Sequence, residues 1–484
     1  MWSTTCSSCA RSTHRGARRS PPRTDTPSRP GPSLVRVNAV ATYPSYPNAF
    51  PHAQPGAGAP GPGTLRHPRW WERKAVHAWA LVSLLALSGL VILALVREQT
   101  GTEGFLVGLC LAVLPVPLLI AAFRWLDRVA PGPWRNLLFS FAWGACAAAL
   151  IAIVANSFAT HWIATNSADP SNADTLGATV IAPIVEESAK ACAVLLIFLF
   201  RRRDFTGIVD GVVIAGVTAT GFAFTENILY LGNAFGTDQL NSGTGMASVT
   251  AATFFVRIVM SPFAHPLFTV LTGIGFGFAA WTAPGRGPVR RVLLPIAGLL
   301  LAMGMHATWN GSSAFGPFGF FGVYALFMMP AFGLLTWLAI GTRQRELRTV
   351  RSELPAYAAA GWVGPDEPFA LGSMRARRLA REFAQHHGGK ETAKVVAQYQ
   401  RYATSLGLLR HRGRRGRAGT DYVVRERELL DELWARRHAA RPALAYAARA
   451  TAPPVWVPPM YAGPVYAGPV AQFPAHNAHN PYRY

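Results

Sequence analysis

Residues 178–200 read ATVIAPIVEESAKACAVLLIFLF. Their length and apolar content are those of a membrane-crossing helix, which needs about 20 residues to cover a hydrocarbon core of about 30 Å. Yet Glu186, Glu187 and Lys190 stand inside the run. A charged side chain at the bilayer centre costs about 2.5–3.5 kcal/mol on insertion scales, so three together predict buried partners and a function. Further along, three more apolar runs each carry a single acid or imidazole: Glu226, His265 and His306. Carboxylates and histidines gathered in hydrocarbon can activate water or hold a metal. The pattern predicts a membrane-embedded hydrolase.

Composition agrees. The chain has 484 residues, 50% hydrophobic and only 14% charged, where a soluble protein carries about 25%. Formal charge is +22. With spanning segments present, the positive-inside rule and attraction of basic tails to anionic lipid account for this charge, and no nucleic acid partner is expected. Preference for Arg over Lys, with abundant Ala and Gly, resembles a high-GC bacterial genome, so the expected location is a bacterial plasma membrane. Cys110, Cys146 and Cys192 lie in apolar runs and read as small core residues. Cys6 and Cys9 form a CxxC without a second pair, and a zinc or redox site there is not expected.

Apolar runs long enough to cross lie near 77–96, 104–123, 136–159, 176–200, 207–234, 250–281, 291–311 and 318–341. The sixth is interrupted by Pro262 and Pro266. Turns containing Arg124, Arg128 and Arg135, then Arg201 to Arg203, then Arg286, Arg290 and Arg291, alternate with the 160–175, 235–249 and 311–317 loops, which lack Lys and Arg. The expected class is therefore all-α and polytopic, with eight spans and both termini cytoplasmic. Around the 76–341 membrane domain we expect a disordered basic arm over 1–75, with Trp70 and Trp71 as an interfacial anchor. A cytoplasmic helical region over 342–450 and a disordered Pro/Tyr-rich tail over 451–484 follow.

Depth decides whether the polar residues can meet. At 1.5 Å per residue, Glu186 and Glu226 fall roughly 15 and 12 Å below the outer surface, with His265 comparable and His306 nearer the outer mouth. Glu186 shares a helix face with Lys190, His306 with Asn310, and Glu226 with Phe222 and Tyr230. Pro183 and Pro266 can open their helices beside the acids and His265. Glycines 207, 211, 216 and 221 give the fifth span a smooth side for close contact. Arg257 reads as a counter-charge or a snorkelling residue, and Asp210 as a cap or a partner of Arg201 to Arg203.

Four motifs now stand in order. Glu186-Glu187-Ser188-Ala189-Lys190 fits EExxK, Phe222 to Asn227 fits FxxxEN, His265 stands alone, and His306 to Asn310 fits HxxxN. Over roughly residues 140–341 this set resembles the PrsW family of intramembrane proteases, related to the CAAX-processing and bacteriocin-processing membrane proteases. The resemblance implies hydrolysis of a peptide bond in a membrane-anchored protein, such as an anti-sigma factor, on the extracytoplasmic side. It implies catalytic roles for Glu186, Glu187, Glu226, His265 and His306, with Lys190, Asn227 and Asn310 supporting them.

Two routes fit those residues. A divalent metal, zinc first, would sit on Glu226, His265 and His306 and lower the pKa of its water. Without metal, a desolvated carboxylate would act as base while Asn310 and a histidine steady the oxyanion. Plainer readings compete: Glu186 with Lys190 as an intrahelical ion pair, and each histidine as a satisfied core residue. A proton- or ion-coupled transporter would also use intramembrane acids, though such proteins carry repeated halves and midplane sites. An inert scaffold that presents basic tails is the third class. Loss of substrate ectodomain release on replacing Glu187 or His306 separates the protease from both.

Overall fold

The computed structural model describes residues 74–166, 173–241, 245, 248–282, 287–417, 419 and 421–452. The N-terminal arm with Trp70, Trp71, Cys6 and Cys9, and the Pro/Tyr-rich tail beyond residue 452, lie outside the described residues. Among those described, every regular element is helical.

The membrane part begins with α1 (Lys74–Val113) and α2 (Pro115–Leu126). Gly101 breaks α1 with φ 70°, ψ 170°, a left-handed-side conformation that costs a residue with a Cβ far more than glycine. Next come α3 (Trp134–Ala142), a π-helical segment and α4 (Ala149–Asn166), forming one rod. A short α5 (Ala173–Leu176) and a π-helical turn, Gly177–Ile181, lead into α6 (Ala182–Phe200), which carries the acid pair. Pro183 stands in the first turn of α6, where its missing N–H is harmless.

Helix α7 (Ile208–Asn241) is the axis of the bundle, with 89% of its most apolar window buried. Its glycines permit that. A Cβ on Gly211 would come within 2.0 Å of the Gly273 carbonyl oxygen, and one on Gly221 within 2.2 Å of the Phe141 carbonyl oxygen. Backbones meet directly there, as small-residue stripes allow in membrane bundles. The face partnered by Gly273 belongs to α9 (Ala264–Ala280), which follows α8 (Val249–Phe254), a π-helical turn and a break at Ser261. The sixth apolar run is thus two helices, interrupted just before His265.

The remaining apolar stretch contains α10 (Pro288–Gly311), α11 (Gly316–Val323) and α12 (Met329–Glu353). Gly316, with φ 69°, separates the first from the others. Only 6% of its most apolar window is buried, so its exposed Leu, Phe and Val side chains are the surface that lipid would cover. Among the described residues, five stretches are long and apolar enough to cross a membrane. Helix α6 is not among them, because its three charges interrupt the apolar window that such a stretch requires.

Several expectations need adjusting. Helices α4 and α7 run to Asn166 and Asn241, so the loops expected at 160–175 and 235–249 are shorter. Cys110 and Cys192 are exposed on the bundle's outer face and Cys146 is half-buried, so none is a core residue. Of the two readings of Asp210, the cap holds and the pairing with Arg201 to Arg203 does not. Its Oδ2 accepts from the Thr206 and Gly207 backbone N–H groups at 2.6 and 3.1 Å, tying down the start of α7.

Beyond the membrane part, α12 continues past residue 342 without a break. It is followed by α13 (Pro355–Ala359), α14 (Glu367–Leu371), α15 (Met374–Arg414) and α16 (Tyr422–Thr451). Leu406, Leu430, Leu433 and Leu444 are almost wholly buried among them. Arg377, also buried, donates to the Val129 carbonyl at 2.8 Å, which links this helical unit to the turn after α2.

Candidate active site

Four helices of the bundle bring the predicted polar residues together. From α6, Glu187 is fully buried, and its Oε1 receives Lys190 Nζ at 2.6 Å. His306 Nδ1, from α10, lies 3.1 Å from that same oxygen. The second oxygen of Glu187 accepts from Thr269 of α9 at 2.8 Å. Glu187 is therefore saturated, with an ammonium, an imidazole and a hydroxyl around one carboxylate. With the proton on Nδ1, His306 donates to Glu187 and leaves Nε2 free.

A second carboxylate–imidazole pair stands beside the first. Glu226 Oε2 receives His265 Nε2 at 2.6 Å and Arg257 Nη2 at 2.6 Å. Arg257 Nε also donates to Asn227 Oδ1 at 2.8 Å, which ties Asn227 to the cluster through the guanidinium. His265 Nδ1 lies 3.3 Å from Lys190 Nζ, and the two imidazoles meet edge to face with centroids 5.2 Å apart. Phe222 and Tyr230, one turn either side of Glu226, form aromatic floors under the cations. Lys190 lies 4.1 Å over the Phe222 ring and Arg257 3.9 Å over the Tyr230 ring, close enough for cation–π attraction.

Glu186 differs from both. Its Oε1 accepts from Asn156 of α4 at 3.3 Å, a long bond. Its Oε2 is shielded from water and has no hydrogen-bond partner, with Lys190 Nζ at 3.8 Å and His306 Nε2 at 3.9 Å. Three carboxylates face two permanent cations here. The excess negative charge is balanced by a proton or by a cation, since an uncompensated charge at low dielectric is costly.

Exposure rises across the cluster, from none at Lys190 to about a fifth of the side chain at Glu226 (17%) and Arg257 (21%).

The oxygen of Glu186 and the ring nitrogens of His265 and His306 offer ligand atoms within 4.8 Å of one another. This trio has Glu186 where the sequence reading had Glu226, whose Oε2 is taken by Arg257 and His265. The donor set fits a divalent metal on two grounds. The buried Oε2 of Glu186 is an acceptor without a donor. Each imidazole is also oriented by a carboxylate on one nitrogen, the outer-shell arrangement that metal-ligating histidines use.

Asn310 does not join the cluster. Its side-chain amide donates to the Ala178 carbonyl at 2.9 Å, next to the π-helical turn that precedes α6. Asn156, Thr269 and the bidentate use of Arg257 escaped the sequence reading. Asn156 is the amide in the apolar run ALIAIVAN, and Thr269 sits four residues after His265 on the same helix face. Both signals were present but weak, since a single Asn or Thr in an apolar helix often only bonds its own backbone.

These features define a class: a multi-pass helical membrane protein with acids, imidazoles and two cations gathered inside its bundle. Residues 132–335 match the family model described as PrsW family intramembrane metalloprotease. That part of the chain is similar to the PrsW family, and the match supports a membrane-embedded peptidase. No curated protein and no solved structure matches the chain.

Proposed function

We propose that this protein is an intramembrane protease that hydrolyses a peptide bond of a membrane-anchored protein on the extracytoplasmic side of a bacterial plasma membrane. The substrate class is that of anti-sigma factors with a single span and an external domain. The reading takes eight crossings with both termini cytoplasmic. The five long apolar stretches supply seven of them, since Gly101 and Gly316 each divide one, and α6 supplies the eighth.

One observation carries the reading: the buried, unbonded Oε2 of Glu186, set between Lys190 and His306. A carboxylate in that condition is poised to accept a proton. In our mechanism Glu186 takes a proton from a water molecule as its oxygen attacks the peptide carbonyl. His306, held by Glu187, offers Nε2 toward the developing oxyanion once protonated, and Lys190 adds positive charge nearby. Glu186 then returns the proton to the amide nitrogen and the carbon–nitrogen bond breaks. Arg257 and Glu226 hold His265 in orientation. Glu186, His265 and His306 are the residues that would hold a divalent metal, zinc best suiting this donor set, and such an ion would supply water of lowered pKa.

The test is release of a tethered ectodomain in cells that express Glu186→Gln or His306→Ala variants, with insertion checked by protease protection. Both variants should lose release while keeping native insertion. Persistent cleavage in both would remove the site assignment. A transporter would instead lose solute flux and release no fragment. Metal content of the purified protein, measured with and without chelator, separates the two routes: about one ion per chain, lost with activity, favours the metal.

A further inference from the structure

A cavity of about 570 Å³ lies where α9, α12 and α15 meet the turn before α7. It sits at the other end of α6 from the acid pair. Glu186 is in the first turns of that helix and Thr206, a lining residue, is six residues beyond its last, so roughly 20 Å of helix separates the two. Arg345 and Arg348 of α12, Arg412 of α15, and Arg415 and Arg417 just after it line the cavity. Glu346 is the single carboxylate in that lining.

None of the five arginines forms a salt bridge with a described carboxylate. This contrasts with the next arginines along, since Arg410 and Arg414 both pair with Glu353. Arg412 stands out further: its Nε is shielded from water and has no hydrogen-bond partner. Burial pushes its guanidinium below the usual arginine range, with Arg425 adding to the effect and the charges of Asp210 and Asp421 opposing it. Five like charges around one cavity repel each other, and a buried guanidinium donor left unpaired is costly. A ligand that carries several negative oxygens relieves both.

We propose that this cavity binds a phosphate-bearing anion with an organic body and so couples the C-terminal helical unit to the membrane helices. Arginine forks match phosphate oxygens two at a time, and a phosphate group brings more oxygens and more negative charge to several forks at once than a single carboxylate does. The volume exceeds what one phosphate needs and lies in the usual range for small-molecule sites. Trp281 and Leu408 supply an apolar wall for the rest of the molecule. Trp281 caps the C-terminal end of α9, and Trp is a residue type enriched where apolar helices end at lipid headgroups. The same chemistry serves a phospholipid headgroup entering from the bilayer or a soluble nucleotide-like molecule. The site is a defined pocket, separate from any diffuse attraction of the basic tails, and it does not depend on the protease reading.

The test uses the purified full chain in bilayers of phosphatidylcholine alone. Radiolabelled inorganic pyrophosphate is titrated by equilibrium dialysis. In parallel, phosphatidylglycerol is added to the bilayer and the retained lipid is counted by native mass spectrometry. Arg345→Gln with Arg348→Gln alters two exposed lining residues, so folding should survive, and elution profile with helical content checks this. Arg378→Gln with Arg401→Gln, exposed on α15 and outside the cavity, is the control. Binding of either probe should weaken about tenfold or more in the lining pair and change less than twofold in the control. Retention of phosphatidylglycerol identifies the bilayer as the source, and binding of pyrophosphate alone a soluble ligand. The proposal is overturned if neither probe binds, if the lining pair binds as wild type, or if the control pair weakens binding equally.

Discussion

Arg377 and Glu186 are both ionisable and both nearly inaccessible to water, yet they are treated in opposite ways. In the C-terminal helical unit, Arg377 donates to the Leu371 carbonyl, the Val129 carbonyl and the Thr404 hydroxyl at 2.7, 2.8 and 2.7 Å. Burial lowers its pKa to about 9, which still leaves it charged near neutral pH. Every edge of the guanidinium that faces the protein has an acceptor. Glu186, in the membrane bundle, has one long bond and one bare oxygen. A saturated buried charge is scaffold, and an undersaturated one is a place where chemistry can occur. Within the candidate site the same difference separates Glu187, which is saturated, from Glu186, which is not.

The sharpest way to break this contrast is Glu186→Gln. The amide keeps the shape and can no longer take a proton. Ectodomain release should fall on the order of 10²–10⁴-fold, the span of general-base effects, with little change in thermal unfolding. Loss of folding without specific loss of cleavage per folded molecule would make Glu186 scaffold after all. The converse is Arg377→Met, which strands three buried acceptors and should cost about 3 kcal/mol of stability. Cleavage per folded molecule should stay at the wild-type level, as measured by limited proteolysis alongside the release assay.

A smaller effect concerns Asp127, at the end of α2, beyond the apolar stretch. Burial raises its pKa from 3.8 to about 7, assisted by the charge on Asp210 and opposed by Arg124. Its folded pKa is therefore above its unfolded one. The protonated form contributes stability fully below about pH 4, and that contribution is lost as pH rises through about 7. Between pH 5 and 7 this group alone should lower stability by up to about 1.4 kcal/mol per pH unit. The Asp127→Asn variant should lack that slope, and equal slopes in thermal unfolding series would remove Asp127 as its source. Smallest of all, Asn310→Ala should change cleavage less than about threefold, because its amide holds the Ala178 carbonyl. A loss as large as that of Glu186→Gln would return Asn310 to the site.

Much of this was legible beforehand. Charges inside apolar runs located Glu186, Glu187, Glu226, His265 and His306, because hydrocarbon makes a charged residue conspicuous in a way that a soluble core does not. The same reasoning proposed Arg257 as a counter-charge, which its 2.6 Å bond to Glu226 supports. The break before His265 followed from Pro262 and Pro266. What stayed hidden were contacts across helices. Thr269 on Glu187, Asn156 on Glu186 and the arginine-lined cavity under α12 each join residues far apart in the chain.

By itself the sequence determined that this is a helical membrane protein with acids and imidazoles on four of its apolar segments, since length, apolarity and charge cost are local properties of a segment. Which carboxylate is locked and which is free was decided only by the tertiary structure. Glu186 and Glu187 are adjacent in the chain and chemically identical. They point about 100° apart around α6, and the rotation that turns one toward Thr269 and His306 leaves the other with a bare oxygen.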